Sequence, residues 1–285
     1  MAIDFHKYHA LGNDYIVIDP NAVNFTLTEK IISLICDRNF GIGSDGILYG
    51  PILTGEKIEL KIFNPDGSEA EKSGNGIRIF SRYLVDAQYV KNQMFDLSTL
   101  GGEVGVEILN PEATLIKVDM GTVTFQSDLI PVAGSLRQMV DTELQVDDLS
   151  LKVTCLSIGN PHCVIPVAEV SQELAMSLGT QIENHPIFPN RINVQFLQVR
   201  DRQNIQMEIW ERGAGYTLAS GSSSCAAASA AYKLGLIDDR VKVHMPGGEI
   251  DIEIKDDRVF MTGSVSAVAK GEFAQDFRDR ILEKP

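Results

Sequence analysis

Alternating apolar and polar positions occur at four places in the chain and predict half-buried β-strands. The segments KIELKI at 57–62, VGVEI at 104–108, NIQMEI at 204–209 and IDIEI at 250–254 each carry an apolar residue at every second position. Successive side chains of a strand point to opposite faces, so this period buries one face and exposes the other. The four strands form two matched pairs, with one member of each pair in either half of the chain.

Helical periodicity is also present in each half. One segment after Ser73 carries Ile77, Phe80 and Leu84 on one face, and a second segment after Ser220 is rich in alanine between positions 226 and 231. A helix that is small and apolar nearly all round offers little polar face to water, so we expect a sheet to surround it. Amphipathic segments at 28–37 and 170–178 predict two outer helices.

The two halves match each other when the chain is shifted by 147 residues. GNDYIV at 12–17 then aligns with GNPHCV at 159–164, KIELKIFN at 57–64 aligns with NIQMEIWE at 204–211, and Ser73 aligns with Ser220. Several matches in order at one offset indicate an internal duplication, with a period too long for a solenoid. We predict an α/β protein with an N-terminal domain of residues 1–120 plus about 264–285 and a C-terminal domain of residues 121–263.

Composition narrows the class of partner. The 285 residues include 25 basic and 39 acidic ones, and the formal net charge is −14. Such a surface repels phosphate backbones and anionic membranes, so we predict a small-molecule substrate and neither a nucleic-acid nor a membrane partner. The N-terminus has no signal pattern and the four scattered cysteines have no C-x-x-C spacing, so we predict a cytoplasmic protein with reduced thiols and no metal. The sequence leaves a homodimer open.

The two predicted buried helices begin with the same dipeptide, Ser73–Gly74 and Ser220–Gly221. The first turn of a helix presents unpaired N–H groups and the positive end of the dipole, which bind anions. Two such starts directed into one cleft would hold a carboxylate, with a serine on either side of the adjacent carbon. That arrangement suits an epimerase, in which one group removes the α-proton and another protonates the opposite face. Taken singly, each serine is better explained as a helix N-cap.

Seven motifs in order extend this picture. They are HALGND at 9–14, FGIGSDG at 40–46, FNPDGSEAE at 63–71, GNGIR at 74–78, GNPH at 159–162, PNRINV at 189–194 and ERGAG at 211–215. Together they resemble the diaminopimelate epimerase family over essentially the whole chain. The resemblance implies two pseudo-symmetric α/β domains, each a curved, mostly antiparallel sheet around a central helix, with the site between them. It also implies inversion of the α-carbon of an amino acid, LL- or meso-diaminopimelate first among the candidates, by two-base proton transfer without pyridoxal phosphate, metal or other cofactor.

Carried over residue by residue, the resemblance implies a polar grip on the substrate, largely at its unreactive end. Arginine pairs with a carboxylate through two hydrogen bonds, and asparagine supplies both donors and acceptors, so the residue types suit this task. A lone asparagine is otherwise a turn former, and His162 is otherwise a satisfied interior histidine. Ser73 and Ser220 would be the acid/base pair, with His162 and Glu211 as polar neighbours. The substrate contacts would be Asn64, Asn160, Asn193, Glu211 and Arg212, with Asn13 near the reacting end and the N–H groups around Gly74, Asn75, Gly221 and Ser222 on the reacting carboxylate.

The sequence departs from the family pattern at the reacting groups themselves. Ser73 and Ser220 stand where the family has its two catalytic cysteines, and Tyr216 stands where it has a glutamate after the ERGAG motif. A serine hydroxyl is a weak base unless another base is paired with it, and His162 is the obvious candidate. Cys163 and Cys225 are badly placed to replace the thiols, so we predict that both are core residues.

Four interpretations follow from this departure. The chain is a natural serine variant of the epimerase, a relative with altered isomerase or dehydratase chemistry, an engineered Cys→Ser inactive form, or a binding protein that keeps the pocket and has lost turnover. Tyr216 and the run of serines from 220 to 224 argue against engineering, because a knock-out design does not need them. Epimerisation of diaminopimelate is the interpretation that we carry forward.

Overall fold

A computed structural model describes residues 3–282 and divides the chain into two compact units. The first unit runs up to Val118 and resumes at Ser264, and the second is Asp119–Gly263. The helices are α1 Glu29–Cys36, α2 Gly74–Asp86, α3 Gln172–Glu183, α4 Gly221–Lys233 and α5 Gln275–Leu282. The strands are β1 Asp4–Ala10, β2 Asn13–Ile18, β3 Ile47–Thr54, β4 Lys57–Phe63, β5 Glu69–Ala70, β6 Met94–Thr99, β7 Gly102–Ile108, β8 Leu115–Thr122, β9 Thr142–Val146, β10 Leu149–Ser157, β11 Pro161–Pro166, β12 Asn193–Asp201, β13 Asn204–Glu211, β14 Gly215–Thr217, β15 Arg240–Met245, β16 Gly248–Lys255, β17 Arg258–Ser264 and β18 Ser266–Glu272.

The sheet of the first unit is mostly antiparallel. β1 pairs antiparallel with β2 and β18, and antiparallel pairs also join β3 to β4, β4 to β5, β6 to β7 and β7 to β8. The parallel pairs are β2 with β3 and β4 with β6. Each parallel pair is connected by a segment that contains a helix, α1 in the first case and α2 in the second, as a crossover between parallel strands requires.

The second unit repeats this order of strands and pairings. β10 to β11, β12 to β13, β13 to β14, β15 to β16 and β16 to β17 are antiparallel, while β11 with β12 and β13 with β15 are parallel. The central helices α2 and α4 differ by 147 residues at both ends. The predicted fold class, two pseudo-symmetric α/β halves, is therefore confirmed, and so are the four alternating strands, which are β4, β7, β13 and β16.

Each central helix is buried against its own sheet. α2 contacts β1, β2 and β3, and α4 contacts β10 to β13, β15 and β16. The alanines of α4 are fully buried, because small side chains allow strands to approach the helix on several sides. α2 instead buries larger side chains, among them Phe80 and Arg78.

The two predicted outer helices cover the other face of each sheet. α1, capped by Thr28, packs Ile32 and Ile35 into a cluster with Ile16 and Ile18 of β2. α3 packs Ala175 and Ile182 into the corresponding cluster of the second unit. Within residues 3–282, no helix has the length and apolar character needed to cross a membrane.

Candidate active site

In the first unit, Ser73 caps the start of α2. Its Oγ accepts a hydrogen bond from the backbone N–H of Gly76 at 3.1 Å, the geometry of a helix N-cap. Gly76 leaves little room for a side chain, because a Cβ there would lie 3.0 Å from the Leu48 side chain and 3.2 Å from the Ser73 Oγ. The first turn, Gly74–Gly76, offers the N–H orientation and the dipole end that bind an anion. The capping role and the predicted chemical role therefore fall on the same oxygen.

A second side chain, which no sequence motif predicted, contacts Ser73. The phenol oxygen of Tyr15 in β2 lies 3.3 Å from the Ser73 Oγ, and either oxygen can donate. Because Ile16 and Ile18 face α1, the alternate residues Asn13 and Tyr15 face α2. The repeat contained a signal for this contact, since a shift of 147 residues places Tyr15 on His162.

Asn13 and Asn75 lie together at the start of α2. The Nδ2 of Asn75 donates to the Oδ1 of Asn13 at 3.1 Å, and the Nδ2 of Asn13 donates to Asp45 at 2.8 Å. Arg78, buried within α2, donates to the Oδ1 of Asn75 at 2.7 Å. These hydrogen bonds fix the orientation of both amides.

A charged cluster holds Asn13 in place. Arg38 donates to Asp14 and to Asp45 at 2.7 Å each, and Lys7 forms an ion pair with Asp14 at 2.8 Å. Burial by itself would raise the pKa of Asp14, but the hydrogen bonds from Arg38 and Lys7 outweigh burial and lower that pKa. Asp14 therefore stays ionised at neutral pH, and the cluster ties the loop that contains Asp45 to β2.

Asn64 and Glu211 occupy equivalent places in the two units. Asn64 follows β4, is exposed, and donates from Nδ2 to the Ser68 hydroxyl at 3.0 Å. Glu211 ends β13, the strand equivalent to β4, and is half-buried. Each residue thus lies where a central strand turns back toward a short partner strand, β5 or β14.

In the second unit, Ser220 caps α4 as Ser73 caps α2. The Oγ of Ser220 accepts from the backbone N–H of Ser223 at 3.4 Å and lies 3.5 Å from the Oγ of Ser222. The hydroxyl of Ser224 donates to the Ser220 carbonyl at 2.8 Å. Ser220 is buried, whereas Ser73 is half-exposed, so the two serines differ in their contact with solvent.

Three predicted residues of the second unit form one hydrogen-bonded chain. The Nδ2 of Asn160 donates to the Ser222 hydroxyl at 3.4 Å, and the Nε2 of His162 lies 2.9 Å from the Oδ1 of Asn160. Because an amide oxygen only accepts, the His162 proton lies on Nε2. The structure therefore connects His162 to Ser220 through Asn160 and Ser222 rather than by direct contact.

His162 is fully buried and uncharged at neutral pH. Burial lowers its pKa to about 3, and the neighbouring Gln195 opposes this shift only in part. Its Nδ1 and the Oε1 of Gln195 are buried without a hydrogen-bond partner, while the Nε2 of Gln195 donates to Ser223 at 3.0 Å. His162 thus offers a neutral imidazole and not a cation.

Asn193 joins Arg212 to the strand that carries His162. The Nδ2 of Asn193 donates to the Pro161 carbonyl at 2.8 Å, and its Oδ1 accepts from the backbone N–H of Arg212 at 2.9 Å. Glu183, buried at the end of α3, accepts from the N–H of Gly213 at 2.9 Å. The side chains of Asn193 and Glu183 therefore accept hydrogen bonds from two successive N–H groups of the turn after β13. These bonds fix the backbone conformation at Arg212.

The hydroxyl of Tyr216 is committed to Glu208. It donates to the Oε2 of Glu208 at 2.7 Å, and Tyr216 packs against the apolar cluster that includes α3. Burial first, and then the Glu208 carboxylate, raise the pKa of the Tyr216 phenol. Tyr216 therefore lies on the α3 side of the sheet and joins β14 to β13 through this hydrogen bond.

The remaining candidates for chemistry lie in the core. Cys163 and Cys225 form no disulfide bond and have no exposed surface, in agreement with the predicted core role. The hydrogen bond between the Cys163 thiol and Cys155, and then burial, raise the pKa of the Cys163 thiol. Among residues 3–282, no cluster of three or more His, Cys, Asp or Glu side chains is arranged to hold a metal ion.

The chain is similar to curated epimerases along nearly its full length. It is 54% identical to a protein named diaminopimelate epimerase 2 from Nostoc sp., over 95% of this chain and 96% of the relative. It is 40% identical to a diaminopimelate epimerase from Methanothermobacter thermautotrophicus, over 99% of both chains. A solved structure of a probable proline racemase from Agrobacterium radiobacter has the same fold, with a TM-score of 0.73 at 13% identity, and the match covers 96% of this chain and 93% of that one.

The family model for diaminopimelate epimerase matches residues 5–126 and 154–268. These two ranges correspond to the two halves of the internal repeat and include every motif and every predicted site residue named above. The chain belongs to the diaminopimelate epimerase family.

Proposed function

We propose that this chain is an epimerase that inverts the α-carbon of LL- or meso-diaminopimelate without a cofactor. One observation carries the proposal: both units begin their buried central helix with a serine N-cap followed by glycine, at positions 147 residues apart. An inversion at carbon needs two equivalent groups, and an internally duplicated chain supplies them. The relatives that match this chain over almost their whole length are named epimerases. Their names favour this chemistry over the alternatives.

The helix starts supply the electrostatic part of the reaction. Removing the α-proton shifts negative charge onto the adjacent carboxylate, and first-turn N–H groups at Gly74, Asn75, Gly221 and Ser222 would stabilise that charge. Since these donors belong to the ends of buried helices, they are oriented before the substrate arrives. Such preorganisation lowers the barrier without a metal or a carbonyl cofactor.

The two serines supply the proton transfers. One hydroxyl oxygen accepts the proton as the C–H bond breaks, and the other serine donates its proton to the opposite face of the same carbon. Ser73 and Ser220 exchange these roles when the reaction runs in reverse, as inversion by two bases requires. His162 and Glu211 would act as polar neighbours, with His162 neutral in the connection through Asn160 and Ser222.

The remaining candidates would grip the unreactive end of the substrate. Arg212 would pair with the distal carboxylate and Glu211 with the distal ammonium, while Asn64, Asn160 and Asn193 would supply amide hydrogen bonds. Asn193 also holds the Arg212 backbone, so it would contribute to specificity through that residue. Asn13 would lie near the reacting end because it bonds to Asn75.

We further propose a cytoplasmic protein that uses a small amino acid and no nucleic acid, and a homodimer is the oligomeric state left open for test. None of the four cysteines forms a disulfide bond, and the net charge is −14. Sedimentation equilibrium would test the dimer, and a mass equal to one chain of 31.3 kDa would contradict it.

Solvent isotope incorporation tests the epimerase proposal directly. Incubation of LL-diaminopimelate with the protein in D2O should give deuterium at one α-carbon and the meso isomer, resolved by chiral chromatography. The Ser73→Ala, Ser220→Ala double variant is the matched control and should give neither. Calorimetric binding of diaminopimelate without exchange would replace the epimerase with a binding protein.

A further inference from the structure

We infer that Tyr15 is the proton partner of Ser73, through which the weakly acidic serine exchanges its proton. The phenol oxygen lies 3.3 Å from the Ser73 Oγ, and Tyr15 is only 7% exposed. This distance exceeds the range of about 2.5–3.0 Å that is usual for a hydrogen bond between hydroxyls. Catalytic hydrogen bonds are often long without substrate and tighten when substrate binds. The inference rests on the proposed function of Ser73 and adds a residue to it.

The backbone around Tyr15 leaves its ring little freedom. The next residue, Ile16, pairs with Ile47 of β3 and donates from its N–H to the Gly46 carbonyl at 3.1 Å. A Cβ at Gly46 would lie 2.7 Å from the Cε1 of Tyr15, so glycine at this position makes room for the ring. On the same face of β2, Asn13 is bonded to Asn75 in the first turn of α2. The phenol is therefore held against the helix start by its own strand.

The internal repeat gives Tyr15 an ionisable counterpart. Ile16 pairs with Ile47 in the first unit and Cys163 pairs with Val194 in the second, so Tyr15 and His162 precede equivalent strand positions. A titratable ring therefore lies on β2 in the first unit and at the equivalent place on β11 in the second. His162 reaches Ser220 through Asn160 and Ser222, whereas Tyr15 contacts Ser73 directly.

The proton transfer balances within this pair. The Tyr15 phenol first gives its proton to solvent. When the α-carbon then loses its proton, the C–H bond breaks and a new O–H bond forms on Ser73, while the original Ser73 proton passes to the phenolate oxygen of Tyr15. In reverse, Ser73 donates its proton to carbon and the Tyr15 phenol replaces it. A phenol has an ordinary pKa near 10, so its anion is far more accessible than a serine alkoxide. Tyr15 acts through Ser73 and is in this sense a positioning residue.

The first test removes only the phenol oxygen. Tyr15→Phe should lower kcat for deuterium incorporation into diaminopimelate by about 100-fold, the lower range of general acid–base effects, with KM changed by less than about threefold. Tyr83→Phe is the matched control, because its hydroxyl bonds to Asp19 in the same unit. In a Ser73→Cys background, the thiol ionises readily by itself, so Tyr15→Phe should cost less than about fivefold. Equal losses in both backgrounds, or none in the serine background, would overturn the inference.

The second test does not depend on activity. In the Ser73→Cys variant, the pKa of the introduced thiol is measured from the pH dependence of its alkylation, which the four buried native cysteines do not obscure. Adding Tyr15→Phe should raise that pKa, because a donor to the thiolate is lost. An unchanged pKa would contradict the Tyr15 contact even if the protein epimerises diaminopimelate. A raised pKa in a protein that shows no exchange would instead refute the proposed function and keep the pair.

Discussion

Under the proposed function, each serine at a helix start serves structure and chemistry with one oxygen. The Ser73 Oγ accepts the Gly76 N–H as a cap, which leaves its own proton free to be donated. The Ser220 Oγ has the same arrangement toward Ser223 but is shielded from water and lies beside Ser222. The two residues are therefore equivalent in position and different in acid–base surroundings. We expect the two directions of proton transfer to be limited by different groups.

Restoring the thiols tests whether the serines limit catalysis. The double change Ser73→Cys, Ser220→Cys should raise α-proton exchange on diaminopimelate by about 10²–10⁴-fold, because a thiolate is a far more accessible base than an alkoxide. Each single change should give less, since both faces of the carbon need a competent group. Exchange is measured by mass spectrometry in D2O. A double variant that binds diaminopimelate but exchanges no faster would favour altered isomerase or dehydratase chemistry.

Arg212 is the residue on which substrate affinity should depend most. Truncating one partner of a buried charge pair costs roughly 2–5 kcal/mol, so Arg212→Ala should weaken diaminopimelate binding by more than about tenfold. Arg200→Ala provides a matched control, because this exposed arginine bonds to Gln206 at a distance from the turn after β13. Isothermal titration calorimetry measures both. Equal affinity in wild type and Arg212→Ala would remove Arg212 from the substrate site.

At the scale of elements, the proposed function assigns anion binding to the starts of α2 and α4, which the structure shows to be capped by serine. The N–H groups in the first turn of a helix have no partner within the helix, and the side chain of the N-cap residue accepts a hydrogen bond from one of them. The cap therefore fixes where the helix begins and the direction of its first N–H groups. Asparagine caps a helix about as well as serine does, but its side chain has no hydroxyl group to exchange a proton with the α-carbon. This difference allows the two roles to be separated experimentally.

Replacing the caps should separate stability from activity. Ser73→Ala and Ser220→Ala should each lower the free energy of unfolding by about 0.5–2 kcal/mol, whereas Ser73→Asn and Ser220→Asn should recover most of that loss and still abolish exchange. Ser177→Ala, on the exposed face of α3, is the control and should change stability by less than about 0.5 kcal/mol. Urea denaturation followed by circular dichroism gives these values. Exchange retained in an asparagine variant would show that the hydroxyl at that position is not an acid/base group.

At the scale of the whole molecule, one buried histidine should make folding sensitive to acid. The pKa of His162 is about 3 in the folded protein because burial disfavours the cation, whereas an exposed histidine titrates near 6.5. Between these values the unfolded chain binds a proton that the folded chain does not, so stability falls as the pH falls through this window. The contribution of this group has an upper limit of about 1.4 kcal/mol per pH unit.

The change His162→Gln isolates that contribution. The variant should show a shallower loss of stability than the wild type between pH 6 and pH 4, and above pH 7 the two proteins should depend on pH in parallel. Denaturant midpoints at each pH supply the measurement. Parallel curves throughout the acid range would mean that His162 is protonated in the folded state.

Much of the fold could be predicted from local pattern and from the repeat. Strands with a period of two and helices with an apolar face are dictated by side-chain direction along the backbone, so β4, β7, β13 and β16 and the central helices follow from the sequence alone. The shift of 147 residues predicted the duplication because equivalent strands need equivalent patterns. The Ser–Gly helix starts were equally local, since capping involves residues only three positions apart.

Contacts between distant segments were decided only by the tertiary structure. Tyr15 and Ser73 are 58 residues apart and meet because β2 packs its Asn13 and Tyr15 face on α2. Likewise, Asn193 holds the backbone at Arg212, which follows it by 19 residues. The sequence by itself determined which elements form and which residue types stand at their ends, because those depend on neighbours along the chain. The packing of strand on helix determined which side chain faces which, because that depends on a register and a face that only the assembled sheet defines.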